Sequence, residues 1–336
     1  MTATTRMKVG MMMPIGVGAL DGTRPVRWRE LREIAHQMEA IGLDYLVVPD
    51  HLLFRKSPPD NLLAVRMPEG QTRGIWEAWT ILAALAEATS RIEIGPYVAC
   101  TSFRSPALLA KIADTVEEVS DGRLVLGLGA GWHQPEYDAF GYPYDHRVGR
   151  FEEALQIIVP LLKGRKVTLK GQYYQVEDCE LLPRGPRPDG PPILIGAERP
   201  RMLSLVARYA DIYDADFQMP DVVAQRYQAV AEACRAAGRD PATLVRGAGT
   251  RIAITTPDGR IDQPHALVED TGGLTADFAF GGMRATVRRA NPEEMLAHFR
   301  AYRDLGVERL TLFMAHPTGL AALERVAPIL EALRKR

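Results

Sequence analysis

Near its middle the chain reads GRLVLGLGAGWHQPE over residues 122–136, where a short apolar run stops at small residues and polar side chains follow. Residues 124–128 are apolar and bounded by glycine, which is typical of a strand covered on both faces. The alternating glycines of residues 127–131 allow another group to approach the backbone closely. The stretch therefore predicts a buried strand whose end carries Trp132, His133 and Glu136. The alternative is a tight turn with one tryptophan closing the end of a barrel.

The same order, an apolar run and then a helical pattern, recurs along the chain. Counting gives eight alternations of strand and helix, and helices long enough to cross back over a sheet imply parallel strands. The predicted fold class is therefore α/β, a (β/α)8 TIM barrel with insertions. A doubly wound open sheet is disfavoured, because residues 14–18 (PIGVG) lack the spacing of a dinucleotide-binding turn. Helices are predicted at 26–41, 75–88, 106–119, 147–162, 200–209, 220–237 and 292–305, with a last one running to the end of the chain.

The length fits one barrel with insertions. A TIM barrel takes about 250 residues and the chain has 336, so we predict a single domain over residues 1–336. Three segments rich in proline, glycine or charge, near residues 52–73, 164–191 and 256–291, are the predicted insertions. Within the second, residues 166–176 alternate around Gly171 as a β-hairpin does.

Composition excludes several classes of partner. Hydrophobic residues make up 46% of the chain and charged residues 25%, as in a globular domain with a sizeable core. The formal net charge of −1 gives no long-range attraction to nucleic acid or to an anionic membrane. No apolar run reaches the ~20 residues that span a bilayer, and residues 1–7 lack the apolar segment of a signal peptide, which predicts a cytoplasmic protein. The cysteines provide neither a disulfide framework nor a paired metal motif; they are Cys100, Cys179 and Cys234.

In such barrels the chemistry lies where strands end and lead into helices. The second strand ends in Asp50 and His51. Histidine titrates near neutrality and a carboxylate can tune it, so the pair suits proton transfer, with His51 exchanging the proton and Asp50 fixing the ring tautomer. The alternative is an aspartate that caps the next segment beside a surface histidine.

The third and fourth strands end in further candidates. Cys100 is expected as a small buried residue, since no local histidine would activate its thiol. Arg104 would either bind an anion or lie in a solvated loop. His133 and Glu136 are spaced like a metal pair, but Pro135 intervenes and no third ligand is near, so metal binding has less support.

Two arginines open the helix that follows the fourth strand. Arg147 and Arg150 lie three apart on one helical face, an arrangement that suits a carboxylate or a phosphate. They could equally pair with Glu152 and Glu153 on the surface.

The fifth strand ends in GAERPR, residues 196–201, where a helix begins at a proline. Free backbone amides and the helix dipole at such a point form a phosphate cradle, to which Arg199 and Arg201 would add charge. A plain helix start is the alternative.

These segments together resemble the luciferase-like monooxygenase superfamily, whose members bind FMN or the deazaflavin coenzyme F420 in a barrel. No single motif is decisive, but their order and spacing are specific and extend over almost the whole chain. The matching segments are residues 49–51 (PDH), 105–113 (SPALLAKIA), 120–132 (SDGRLVLGLGAGW), Glu136, 150–154 (RFEEA), 171–174 (GQYY) and 191–196 (PPILIG).

The resemblance implies a role for each matching position. Asp50 would lie near the flavin-type ring, and His51 would donate or accept a proton. Relatives often bend the third strand through a non-proline cis peptide behind the ring, for which Tyr97-Val98 is the best match. The implied catalytic residues are His51, Asp50 and Trp132; the implied cofactor-binding residues are Asp50, Tyr97, Val98, Cys100, Ala130, Gly131, Trp132, Ile195, Gly196, Ala197, Glu198 and Arg199.

One departure from the family matters. The sugar-phosphate dehydrogenases of this superfamily have a glutamate near the position of Trp132, so sugar-phosphate oxidation is disfavoured here. The Gly-Ala-Gly-Trp form favours coenzyme F420 as cofactor, with FMN as the alternative.

The resulting prediction is an oxidoreductase or monooxygenase that passes hydride to a small organic substrate or oxygenates it. A barrel that binds a flavin or another phosphorylated ligand without turnover is the alternative, and a metal-dependent hydrolase is a distant third. Many relatives are dimers, so a homodimer is compatible with the resemblance, and an FMN-dependent enzyme would need a separate flavin reductase. No nucleic-acid or membrane partner is expected.

Overall fold

Helices and strands alternate along the chain. The computed structural model describes residues 6–20, 24–55, 72–255, 275–280, 283–314 and 319–335. In chain order the elements are β1 (Lys8–Met12), α1 (Trp28–Ala40), β2 (Tyr45–Val48), β3 (Leu53–Arg55), β4 (Thr72–Gly74), α2 (Ala78–Ala88), β5 (Glu93–Pro96), β6 (Ala99–Cys100), α3 (Pro106–Val119), β7 (Leu126–Gly129), α4 (Gln134–Phe140), α5 (Arg147–Leu162), β8 (Val167–Lys170), β9 (Gln175–Cys179), β10 (Ile193–Gly196), α6 (Pro200–Tyr209), β11 (Ile212–Phe217), α7 (Pro220–Ala236), β12 (Val245–Ile254), β13 (Thr275–Phe280), β14 (Met283–Ala290), α8 (Pro292–Asp304), β15 (Arg309–Met314) and α9 (Leu320–Arg334).

Parallel strands form the central barrel. Their order is β5-β2-β1-β15-β12-β11-β10-β7-β6, and each neighbouring pair is parallel. β5 and β6 are successive pieces of the third strand, since β5 pairs with β2 while β6 pairs with β7. The Val125 N–H donates to the Ile94 carbonyl at 2.8 Å, which joins the two ends of the sheet. The predicted TIM-type α/β barrel is confirmed.

The helices cover the outside of the barrel because each carries an apolar face. In α3, Pro106 occupies the first turn, and Leu109, Ala113 and Val116 are buried at helical spacing. The predicted helices at 106–119, 147–162 and 200–209 coincide with α3, α5 and α6. None of the described helices combines the length and the apolar character needed to cross a membrane.

The predicted insertions contain strand pairs outside the barrel. β8 and β9 are antiparallel, which confirms the hairpin predicted around Gly171. β3 pairs with β4 in the segment near residues 52–73, and β13 pairs with β14 in the segment near 256–291. The sequence patterns did not indicate these last two pairs. Residues 56–71 and 256–274 of the same insertions lie outside the described residues.

An ion pair lies at the amino end of the barrel lumen, and an arginine and an aromatic ring lie at its carboxyl end. An Arg309 N–H donates to Glu93 at 2.6 Å, and β1 and β2 lie between their strands, so this ion pair crosses the lumen. Partners in a parallel register share a face of the sheet. On β15 and β12 the partners are Arg309 with Gly247, Thr311 with Gly249, and Phe313 with Arg251. All six therefore face the lumen, and Phe313 and Arg251 lie at its carboxyl end.

Candidate active site

The strand ends named by the sequence meet on one rim, as predicted. The register pairs Cys100 with Gly129 on β6 and β7, and Ile195 with Leu128 on β10 and β7, which brings Gly196 beside Gly129. Asp50, which follows β2, accepts a hydrogen bond from the Cys100 N–H at 2.9 Å. Asp50, Ala99, Gly129 and Gly196 therefore share the carboxyl rim of the barrel.

Asp50 is buried and forms an ion pair with Arg104. Its two oxygens accept hydrogen bonds from the Arg104 guanidinium at 2.7 and 3.1 Å. Arg104 also donates to Glu77 at 2.6 Å. Burial raises the pKa of Asp50, while Arg104 and the Cys100 amide oppose that shift. Arg104 therefore neither binds a free anion nor lies in a solvated loop. It links Asp50 on the rim to Glu77 at the start of α2.

His51 is oriented by Glu136, and the predicted orienting role of Asp50 is wrong. The His51 Nδ1 lies 2.9 Å from one Glu136 oxygen, and the Leu52 N–H donates to the other at 2.8 Å. Glu136 is 1% exposed. With the His51 ring and the Leu52 N–H as its two partners, Glu136 fixes the orientation of the imidazole. Asp50 is directed instead to Arg104.

The His51 ring lies in a group of rings at the mouth of the barrel. Its centroid is 4.6 Å from that of Phe54 and 5.4 Å from that of Trp132. The His51 side chain keeps 16% of its surface exposed. A histidine held by a buried carboxylate and still open to the mouth can exchange a proton with a bound molecule.

The segment from Ala130 to Trp132 is fixed by two tyrosines. Tyr137 donates to the Ala130 carbonyl at 3.0 Å, and Tyr144 donates to the Trp132 carbonyl at 2.8 Å. Gly131 has φ of 76°, and a Cβ there would lie 1.8 Å from the Tyr137 hydroxyl. Only glycine can adopt this φ without a clash with Tyr137. The backbone of residues 130–132 is therefore held in one conformation at the mouth.

Cys100 and His133 are buried and have structural roles. Cys100 is 4% exposed, and burial raises the pKa of its thiol to about 12, so it is the inert buried residue that was predicted. His133 is 1% exposed, and its Nε2 accepts the Arg55 N–H at 3.2 Å. His133 and Glu136 therefore bind β3 and His51 respectively. Within the described part of the chain, no three His, Cys, Asp or Glu residues form a potential metal site.

The third strand turns between β5 and β6 through a cis peptide at Tyr97-Val98, as predicted. The Val98 side chain fills the space left by the glycines of β7, since a Cβ on Gly129 would lie 2.5 Å from it. Tyr97 points into the lumen and donates to Asp214 at 2.6 Å. Burial raises the pKa of Asp214 to about 6, although the Tyr97 hydroxyl lowers it. The Tyr97 hydroxyl is therefore directed into the lumen, and the Val98 side chain packs over Gly127 and Gly129 of β7.

At residues 196–201, where the sequence predicts a phosphate cradle, the structure has a helix start without a side-chain cap. No side chain caps α6, and Arg199 at its N-cap is exposed. Arg201 instead pairs with Glu152 at 3.0 Å, so its predicted contribution of charge to the cradle is wrong. Glu198 lies 3.5 Å from Arg226 on the surface. Ile195 is fully buried in the core between sheet and helices, so its side chain does not line the mouth.

Arg147, at the start of α5, is a further candidate for binding an anion. Its guanidinium lies 3.8 Å from the centroid of the Tyr144 ring, and Tyr144 itself holds Trp132. One terminal nitrogen, Nη1, is buried and has no hydrogen-bond partner among the residues that the structure describes. Arg150, by contrast, pairs with Asp145 at 2.9 Å. Of the two arginines predicted for an anion, Arg147 has the geometry to bind one.

The chain resembles known proteins over most of its length. A sequence profile of the luciferase-like monooxygenase family matches residues 7–311. The chain is 31% identical over 301 residues to an F420-dependent hydroxymycolic acid dehydrogenase of Mycobacterium tuberculosis, covering 87% of this chain and 77% of that protein. It is 30% identical over 256 residues to the pyrimidine monooxygenase RutA of Methylorubrum extorquens, covering 71% of this chain. The matched region spans 64% of the length of that RutA.

Solved structures share the fold. An F420-dependent secondary alcohol dehydrogenase in complex with an F420-acetone adduct superposes with a TM-score of 0.76, over 98% of this chain and 100% of that chain. The sequence identity is 19%, so this similarity shows the barrel and its connections alone.

Proposed function

This chain belongs to the luciferase-like monooxygenase family, and from this premise we propose that it is an oxidoreductase acting on a small organic substrate. Its cofactor is reduced coenzyme F420, with FMN as the alternative, and the reaction is hydride transfer to the substrate or its oxygenation. One observation carries the proposal: His51 is held by the buried Glu136 and lies beside Trp132 at the mouth. A histidine with only a structural role would not need a partly exposed side chain at this rim.

The residues at the mouth fit such a cofactor. Gly131 keeps the backbone of residues 130–132 free of side-chain bulk where a planar ring would lie, and Val98 forms the surface behind it. The uncapped start of α6 and the buried Nη1 of Arg147 offer hydrogen bonds to a phosphate. A cofactor of this type supplies the hydride or the site of oxygen activation when bound.

The protein supplies proton transfer and exclusion of water. Hydride transfer to a carbonyl leaves negative charge on its oxygen, and His51 Nε2 is the group placed to deliver a proton there. In the reverse direction the neutral Nε2 accepts the proton of an alcohol. Glu136 keeps the ring in one orientation. Phe54 and Trp132 shield the imidazole from bulk water on two sides.

The mycobacterial relative supports F420 over FMN, since it is named as F420-dependent. If FMN is the cofactor, a separate flavin reductase would supply its reduced form. A barrel that binds either molecule without turnover is the competing proposal.

The test of the proposed function is turnover of His51→Asn against wild type. Small secondary alcohols with oxidised F420, and ketones with reduced F420, form the first panel; reduced FMN with oxygen forms the second. A general acid–base group contributes about a hundred- to ten-thousand-fold, so the variant should lose activity by that factor and lose the pH dependence of turnover. Cofactor affinity should stay near the wild-type value, because asparagine keeps a hydrogen bond without titrating.

His36→Asn is the matched control, since this histidine lies on α1 and its Nε2 is 2.7 Å from the Ala88 carbonyl oxygen. Its activity should match wild type. Normal turnover and an unchanged pH profile in His51→Asn would show that another group transfers the proton. Cofactor binding with no turnover of any panel member by wild type would favour the non-catalytic barrel.

A further inference from the structure

Arg251 is a charged residue on the lumen face of β12 that the proposed chemistry does not use. Its register partner is Phe313, and the register partners below it are Gly249 with Thr311 and Gly247 with Arg309. Thr250, one residue earlier, faces outward and lies 2.9 Å from His298 of α8. The alternation of the strand thus directs Arg251 inward at the carboxyl end of the barrel.

The Arg251 guanidinium lies close to two phenylalanine rings. Its central carbon lies 4.5 Å from the centroid of the Phe217 ring and 5.6 Å from that of Phe313. Phe217 can lie this deep because Gly249 faces it: a Cβ there would be 2.6 Å from the ring. Phe217 also contacts Tyr97, with 5.5 Å between centroids. Phe217 and Phe313 also contact each other edge to face, with 5.8 Å between centroids, and aromatic rings this close to a guanidinium stabilise its charge.

A cation in this position is expensive to bury. Burial lowers the pKa of Arg251, and the negative charge of Asp216 on the neighbouring strand opposes that shift. Bulky apolar side chains dominate the lumen of such barrels, so an arginine at its carboxyl end departs from the usual filling. A planar cation that lies against two phenylalanine rings at the mouth has the chemistry to bind a carboxylate whose apolar body contacts those rings.

We propose that Arg251 binds a carboxylate of the substrate, while Phe217 and Phe313 contact the apolar or aromatic part of the same molecule. This inference rests on the proposed function, because it assigns the substrate class of that site. The phosphate of the cofactor is a different anion: its cradle at α6 and Arg147 follows the fourth and fifth strands, whereas Arg251 belongs to the seventh. Arg251 and His51 would then contact opposite parts of one bound substrate.

The test compares three small probes of similar shape: benzoate, benzamide and benzyl alcohol. Each is titrated into the protein saturated with F420, or with FMN if only FMN binds, and cofactor or tryptophan fluorescence is followed. A charge-assisted hydrogen bond contributes about 1.5–3 kcal/mol, so benzoate should bind about 10- to 100-fold more tightly than benzamide. In Arg251→Met this preference should disappear while cofactor affinity is unchanged.

Arg246→Met is the matched control, since Arg246 lies on the same strand but is exposed at the other end; it should keep the preference. Asp216→Asn provides a second variant: removing the opposing charge should tighten benzoate severalfold and leave benzamide unchanged. Equal binding of benzoate and benzamide by wild type, or a preference that persists in Arg251→Met, overturns the inference. Absence of cofactor binding with an intact, Arg251-dependent preference for benzoate would instead remove the proposed function and leave the carboxylate site.

Discussion

At the scale of single residues, the sequence identifies His51 but not the group that orients it. Neighbouring residues at the end of a strand point in different directions, so Asp50 reaches Arg104 and Cys100 while His51 faces Glu136. Glu136 is 85 positions away in the chain, and only the closed barrel brings the two together. The sequence singled out Glu136 for its place after the fourth strand, yet spacing along the chain could not reveal its partner.

The His51–Glu136 pair leads to a prediction for Glu136→Gln. The amide can still meet Nδ1 but cannot make a charge-assisted hydrogen bond to it. Loss of one charge-assisted hydrogen bond costs about 1.5–3 kcal/mol, so kcat should fall about 10- to 100-fold with little change in KM. Steady-state kinetics of the variant beside wild type measures both constants.

Glu152→Gln is the control for Glu136→Gln, because Glu152 pairs with Arg201 and Arg208 on the surface. A Glu136→Gln enzyme with the kcat of wild type would show that the carboxylate does not act on His51 during turnover. That result would contradict the role of Glu136.

At the scale of elements, long periodic segments were predictable and short ones were not. α3, α5 and α6 match their predicted limits because buried residues recur over several turns. α4 has seven residues with a proline in its first turn, too few for a periodic pattern, and it went unpredicted although it carries Glu136. The β3–β4 and β13–β14 pairs lie in insertions whose composition indicated loops.

The turn between β7 and α4 can be tested with two glycines. Gly131 and Gly141 both have φ of 76°, but a Cβ on Gly131 would meet Tyr137 while one on Gly141 meets nothing within 4 Å. Gly141→Ala should lower the free energy of unfolding by about 1 kcal/mol, the backbone cost alone. Gly131→Ala should lower it by about 3 kcal/mol, since overpacking adds to that cost, and should also weaken cofactor binding.

Denaturant unfolding of both glycine variants, with cofactor titration on the same samples, gives the comparison. Equal destabilisation by the two substitutions would mean that the segment beside Trp132 is not held against Tyr137 as described.

At the scale of the whole molecule, the barrel follows from eight alternations, but the contents of its lumen do not. Strands of a parallel barrel are buried on both faces, so apolar runs do not reveal which side chains face inward. A net charge of −1 likewise gives no sign that Glu93 and Arg309 pair across the lumen or that Arg251 stacks on Phe217. Register and closure determine these contacts.

The central claim is that the mouth of this barrel is a deazaflavin or flavin site, and direct titration of the protein with F420 and with FMN in separate runs tests it. The account predicts saturable binding with one cofactor per chain, tighter for F420, and weakened by Arg147→Met, which removes the phosphate donor at the cradle. Arg150→Met is the control, since Arg150 pairs with Asp145, and should bind like wild type. Tighter binding of FMN would reverse the choice of cofactor, and binding of neither would contradict the account.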